Sequence, residues 1–123
     1  MLTRLSWLVL AIIHALPALA FFSPSLLTRL YNVAPGEPAF LLLQHRAALF
    51  LGVLIACIWA AAEPGVWRLA VIVTATSMVS FLLLYFQAGM PAPLRTIAIA
   101  IADVAGLIPL AYVAYNAFAV PPD

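Results

Sequence analysis

An aspartate and an arginine stand inside runs of residues apolar enough to be surrounded by hydrocarbon: Asp103 within Leu94 to Phe118, and Arg46 within Phe40 to Ala62. A charge at that depth is costly, so it faces a bundle interior, pairs with an opposite charge, or marks a site. A planar guanidinium stays charged and suits a bidentate contact with a carboxylate. A buried Arg46–Asp103 salt bridge is therefore the simplest expectation. His14, His45, Gln44, Ser77, Ser80 and Tyr85 supply further donors and acceptors to complete a polar layer around it. Such a layer either pins the register of packed helices or lines a pocket for a lipid, a quinone or another amphiphile, or a proton path. The two histidines add a sharper alternative, ligation of a haem or a chlorophyll-type pigment between helices.

Other chemistries lack their residues. All five basic side chains are arginines, so neither a Schiff-base lysine nor a phosphate-loop lysine is present. Cys57 is the single cysteine, which excludes an internal disulfide, a Cys-x-x-Cys redox pair and a cysteine-rich zinc site. A small buried hydrophobe is the expected role for it. The five glycines are scattered and build no phosphate cradle, no Gly-x-Ser-x-Gly or His-Glu-x-x-His motif occurs, and no two carboxylates share a face. The expected catalytic and metal-ligand sets are empty, and no enzyme activity is expected. A net charge of +1 without a basic cluster gives nucleic acid no footprint.

The elements that position the polar layer follow from composition. Of 123 residues, 67% are apolar and 7% charged, with a mean hydropathy of +1.19. A soluble domain carries roughly a quarter charged residues, so the solvent for this surface is lipid. Four runs reach the roughly 20 helical residues that cross a bilayer: Leu5 to Phe22, Phe40 to Ala62, Trp67 to Gln87 and Leu94 to Phe118. They are continuous rather than alternating and too long for barrel strands. Turn residues divide them: Pro35-Gly36-Glu37-Pro38, Glu63-Pro64-Gly65 and Gly89-Met90-Pro91-Ala92-Pro93. Met1 to Arg4 followed by Ala18-Leu19-Ala20 has the form of a signal peptide and its cleavage site; the run is nevertheless expected to be retained as the first span. After it, Ser23 as N-cap and Pro24 at the first helical position start a short amphipathic helix. Its Leu26, Leu27, Leu30 and Tyr31 share one face, as in a helix lying on the membrane. The fold class expected is an all-α, single-domain bundle of four transmembrane helices with one interfacial helix.

Antiparallel connectivity converts sequence offsets into depth. Arg46 and Asp103 are each a few residues into spans that start on the side opposite the termini, and His14 is near the end of a span that finishes there. The polar groups therefore project into one leaflet. Small residues recur every four positions at Ala98, Ala102 and Gly106 and at Ala48, Gly52, Ala56 and Ala60, which lets helices approach closely. Pro17 and Pro109 free the carbonyls of Ile13 and Ala105. Trp7, Trp59, Trp67, Tyr112 and Tyr115 fall near span ends and are expected in the interfacial aromatic belt. Arg4 and Arg68 lie on one side and Arg29 and Arg95 on the other, so the positive-inside count ties; the expectation adopted is that both termini are cytoplasmic.

The stretches Leu30-Tyr31-Asn32-Val33, Leu41 to Gly52 with its His45-Arg46-Ala47-Ala48-Leu49-Phe50, Ser77-Met78-Val79-Ser80-Phe81, Leu94-Arg95 and Ala102-Asp103-Val104 resemble a group of small four-helix bacterial membrane proteins, loosely DoxX-like. The resemblance spans nearly the whole chain. It implies a four-helix fold, a bacterial inner-membrane setting, and Arg46, Asp103 and His45 as features of the group. Such sequences often carry the label phosphopantetheine adenylyltransferase. That activity needs a soluble α/β domain with a His-x-Gly-His motif, and this chain has neither. Two functions stay open: an accessory or structural subunit docking on a larger membrane complex or on itself, and a binding or transport module for an amphiphile at Arg46 and Asp103.

Overall fold

The computed structural model describes residues 1–90 and 94–119. Helix α1 (Leu2–Leu19) is followed by the short α2 (Pro24–Tyr31), then α3 (Pro38–Ala62), a single 3-10 turn at Pro64–Val66, α4 (Trp67–Gln87) and α5 (Leu94–Phe118). No strand occurs among the described residues. Four helices are long and apolar enough to cross a membrane, so the chain is an all-α membrane protein. The expected turn at Pro91-Ala92-Pro93 lies outside the described residues.

Helix boundaries follow local chemistry. Ser23 caps α2: its hydroxyl accepts from the Leu26 N–H at 3.3 Å, and Pro24 supplies a first residue that needs no partner for a backbone donor. Asn32 ends α2 in the left-handed region at φ 54°, a conformation that asparagine tolerates better than most residues. Glu37 fastens the next turn by accepting the Ala34 N–H at 2.9 Å, and Pro38 opens α3. At the other end of the bundle Glu63 accepts the Gly65 N–H at 3.1 Å, and the Trp67 indole donates to the Ala60 carbonyl at 2.8 Å. Arg68 crosses from α4 to donate to the Ala117 carbonyl at 3.0 Å, placing a cation on the negative end of α5.

The long helices pack in the cyclic order α1, α3, α4, α5, with α5 returning to α1. This is an up-down-up-down bundle with short connections. Arg46 and Asp103 consequently stand on helices that face each other across the bundle diagonal. At the usual 8–10 Å between neighbouring helices, a diagonal pair is separated by about 11–14 Å between axes.

Two clusters hold the bundle. The larger fills the half near the termini, where Trp7, Leu10, Val53, Cys57, Met78 and Val113 are buried. The Cys57 Sγ and Thr74 Oγ1 lie 3.4 Å apart there, a polar contact between α3 and α4 inside a dry core. Gly106 lets α5 close on its neighbours: a Cβ at that position would stand 2.8 Å from the Ile13 Cδ1 and closer still to the Met78 side chain. The smaller cluster, Ala20, Leu27 and Ala47, fastens α2 over the opposite end. Lipid tails are as apolar as leucine, so close packing rather than exclusion of water stabilises both clusters. The large apolar side chains left outward, such as Ile12, Leu42, Leu49 and Ile108, are lipid-facing in a membrane.

One expected belt residue is misplaced by the sequence. Trp7 is fully buried in the larger cluster, whereas Trp59 and Tyr115 are exposed as expected. Its indole N–H is enclosed and has no hydrogen-bond partner among the described residues, so Trp7 acts through volume. Trp7→Ala should cost about 3–5 kcal/mol in unfolding from mixed micelles. Trp7→Phe should cost much less. Equal losses would mean that the indole N–H carries the stability.

Candidate functional site

Between the two clusters the bundle opens into a cavity of about 370 Å³. Each element contributes to its wall. Helix α1 supplies Ile13, His14, Leu16 and Pro17; α3 supplies Arg46 and Phe50; α4 supplies Phe81. Helix α5 supplies Ala98, Ile99, Ala102 and Asp103, and α2 lays Arg29, Leu30 and Tyr31 across the end. The wall is largely apolar, with a few convergent polar groups, the usual make-up of a small-molecule site.

Depth explains the convergence. Arg46 is eight residues beyond Pro38 and Asp103 nine beyond Leu94, both starts being on the α2 side. At 1.5 Å per residue they differ by about 1.5 Å in height, closer than span ends read from sequence suggest. His14, five residues before the end of α1, lies about 7.5 Å from that end and lines the same cavity.

Arg46 and Asp103 share the cavity but form no ion pair within 4.0 Å. The expected salt bridge is therefore absent, for two reasons. Diagonal helices hold the two backbones apart, and the guanidinium is engaged elsewhere. Its Cζ lies 5.1 Å from the Phe50 ring centre, 5.7 Å from Phe81 and 6.0 Å from Tyr31. Each such contact stabilises by about 0.5 kcal/mol when exposed and about 2 when desolvated. Burial of an arginine in a membrane helix costs about 2.5–3.5 kcal/mol on insertion scales. Three rings together offset a cost of that order, about 1.5–6 kcal/mol, without an ion pair to Asp103.

Asp103 is 8% exposed and accepts no hydrogen bond from the described residues, yet it stands in the cavity wall. His14 is 2% exposed, and its Nδ1 lies 2.8 Å from the Leu10 carbonyl oxygen. A carbonyl only accepts, so Nδ1 carries the proton and the Nε2 of the neutral ring is left as an acceptor. The partner is the carbonyl four residues back rather than that of Ile13, which Pro17 frees. The phenol of Tyr31 is pushed up by burial, an effect partly offset by the nearby charge of Arg46. It stays protonated at neutral pH and can donate.

Of the eight residues expected in the polar layer, only His14, Arg46 and Asp103 line this cavity. His45 is exposed on α3 and Gln44 lies outside the wall. Adjacent positions on a helix diverge by about 100°, so Arg46 facing inward turns His45 away. The expected His14/His45 pair therefore does not converge on the cavity, and these residues do not fit axial ligation of a haem or pigment there. Ser80 is exposed and donates to the Ser77 carbonyl at 3.2 Å, satisfying itself within α4. Tyr85 stacks on Phe81, with ring centres 6.0 Å apart, and lines a separate apolar groove between α4 and α5. Among the described residues no three His, Cys, Asp or Glu side chains gather as a metal site.

Sequence reasoning missed the aromatic box. Phe50 sits four residues after Arg46 and so shares its face, a signal that was legible. Phe81 and Tyr31 arrive from other elements, and nothing in their own spacing points to Arg46. No protein-family model, curated protein or solved structure matches this chain.

A double-mutant cycle tests the geometry. Arg46→Gln and Asp103→Asn should couple by less than about 1 kcal/mol, against the 3–5 kcal/mol that follows removal of one partner of a true buried pair. The charge-swapped protein, Arg46→Asp with Asp103→Arg, should not recover stability in thermal unfolding, because the rings would then face a carboxylate. Full recovery would restore the salt-bridge model.

Proposed function

We propose that this chain is a non-catalytic integral-membrane protein that binds, and in a cell sequesters or passes on, a small amphiphile. The observation that supports it is the cavity at Arg46 and Asp103: opposite charges line one partly open volume without forming an ion pair. A structural pin would close on itself, since separated charges in a low-dielectric interior gain by contact. The apolar remainder of the wall suits the hydrocarbon part of a ligand, and Arg46, Asp103 and His14 suit its polar end. The setting proposed for it is a bacterial inner membrane, with both termini in the cytoplasm.

Native mass spectrometry of the protein released from its own membranes in mild detergent tests this reading. The wild type should leave with a discrete added mass of a few hundred daltons. Ala102→Phe, which fills the cavity beside Asp103, should leave bare. A bare chain in both cases would reject a binding role.

A second function rests on a different observation. Gly52 is exposed on α3, and a Cβ there would meet nothing within 4 Å. Gly52 is therefore an open position in the α3 stripe, although Ala56 and Ala60 pack into the larger cluster, whereas Gly106 of the α5 stripe is closed over. This supports an accessory subunit or homo-oligomer that offers α3 to another membrane helix. Blue-native electrophoresis should then show a larger species that Gly52→Leu disperses; free monomer from native membranes would reject it.

A further inference from the structure

Resting on the amphiphile-binding reading, we propose that the cavity is built for a zwitterionic headgroup bearing a primary ammonium and a phosphate, as in an aminophospholipid. The ammonium sits on Asp103 and the phosphate on Arg46, with Arg29 as a second contact at the rim.

The balance of the wall selects this chemistry. Asp103 is more than nine-tenths buried, has no partner among the described residues and stands in the wall. An ionised carboxylate so placed calls for N–H donors. Arg46 makes no ion pair with it within 4.0 Å, its guanidinium lying among the rings of Phe50, Phe81 and Tyr31. Aromatic neighbours accept no N–H hydrogen bond in the guanidinium plane, and phosphate is an acceptor that fork geometry matches well. Its N–H groups have no acceptor among the described residues.

Single-charge headgroups fit less well. A purely anionic headgroup would satisfy the arginines and bring a like charge to Asp103. A purely cationic one would do the reverse, and a neutral glyceride would leave both charges unmet. A zwitterion brings an opposite charge to each. The Nε2 of His14, left as an acceptor, takes a further N–H from the ammonium.

Size and access agree. At about 370 Å³ the cavity is near the lower end of the roughly 300–1,000 Å³ of ligand pockets, which suits a headgroup rather than an entire lipid. The exposed wall residues are Leu16 on α1, Arg29 on α2 and Ala98 on α5. The mouth therefore opens at the α1–α5 seam beneath α2, where acyl chains can remain in the bilayer while the headgroup turns inward.

The test uses delipidated full-length protein in mild detergent, given lipids of identical acyl chains and read by native mass spectrometry. Phosphatidylethanolamine should exceed both phosphatidylglycerol and phosphatidylcholine in occupancy by about tenfold, the worth of one charge-assisted hydrogen bond. Phosphatidylcholine keeps the positive charge but has no N–H to give. Asp103→Asn should bring phosphatidylethanolamine down to the level of phosphatidylglycerol, and Arg46→Gln should weaken both. Equal occupancy of all three lipids on the wild type would overturn the headgroup assignment while leaving amphiphile binding intact. Absence of any adduct would overturn both. Competition by free O-phosphoethanolamine at matched concentration would support the headgroup chemistry and make a soluble solute its source. If either variant fails to fold, the wild-type lipid series decides alone.

Discussion

The guanidinium of Arg46, held among the rings of Phe50, Phe81 and Tyr31, is the interaction on which the upper half of this bundle is arranged. A cation in hydrocarbon must find compensation, and an aromatic box supplies it without a counter-ion. Three elements are tied together by that requirement. Phe50 comes with Arg46 on α3, Phe81 from α4, and Tyr31 from the short α2. The box therefore adds a contact to α2 beside the packing of Leu27 beneath it.

Satisfying Arg46 with rings has a consequence for α5. Asp103 arrives at the same height on the diagonal helix and is left without an ion pair. Had α3 and α5 been neighbours, the two side chains would have met and closed the space between them. Instead α1 and α4 lie between them, and the middle of the bundle keeps a volume that the packed half near the termini does not have. Gly106 marks the border. Below it α5 closes on Met78 and Ile13, and above it the wall recedes to Ala102 and Ala98.

The proposed function rests on that asymmetry. One half of the molecule is a dry core around Trp7, Met78 and Val113 that holds four helices rigidly. The other half is a partly open cavity lined by the cation of Arg46, the carboxylate of Asp103 and the imidazole of His14. Packed support beneath and preorganised polar groups above are what the proposed capture of a headgroup would draw on.

Much of this was legible in the residues. Run length and composition specified four spans, because no other structure satisfies a backbone in lipid. Ser23, Pro24 and Asn32 specified α2 through capping chemistry that depends only on near neighbours. The common depth of His14, Arg46 and Asp103 followed from helical rise and alternating direction. The sequence could not say which spans would be adjacent, since apolar helices of similar length fit several cyclic orders. That order made Arg46 and Asp103 diagonal rather than paired, turned His45 away from His14, and buried Trp7 instead of leaving it at the interface. Depth is one-dimensional and accumulates along the chain at a fixed rise. Azimuth and neighbourhood depend on packing between elements distant in sequence, and only the tertiary structure decided them.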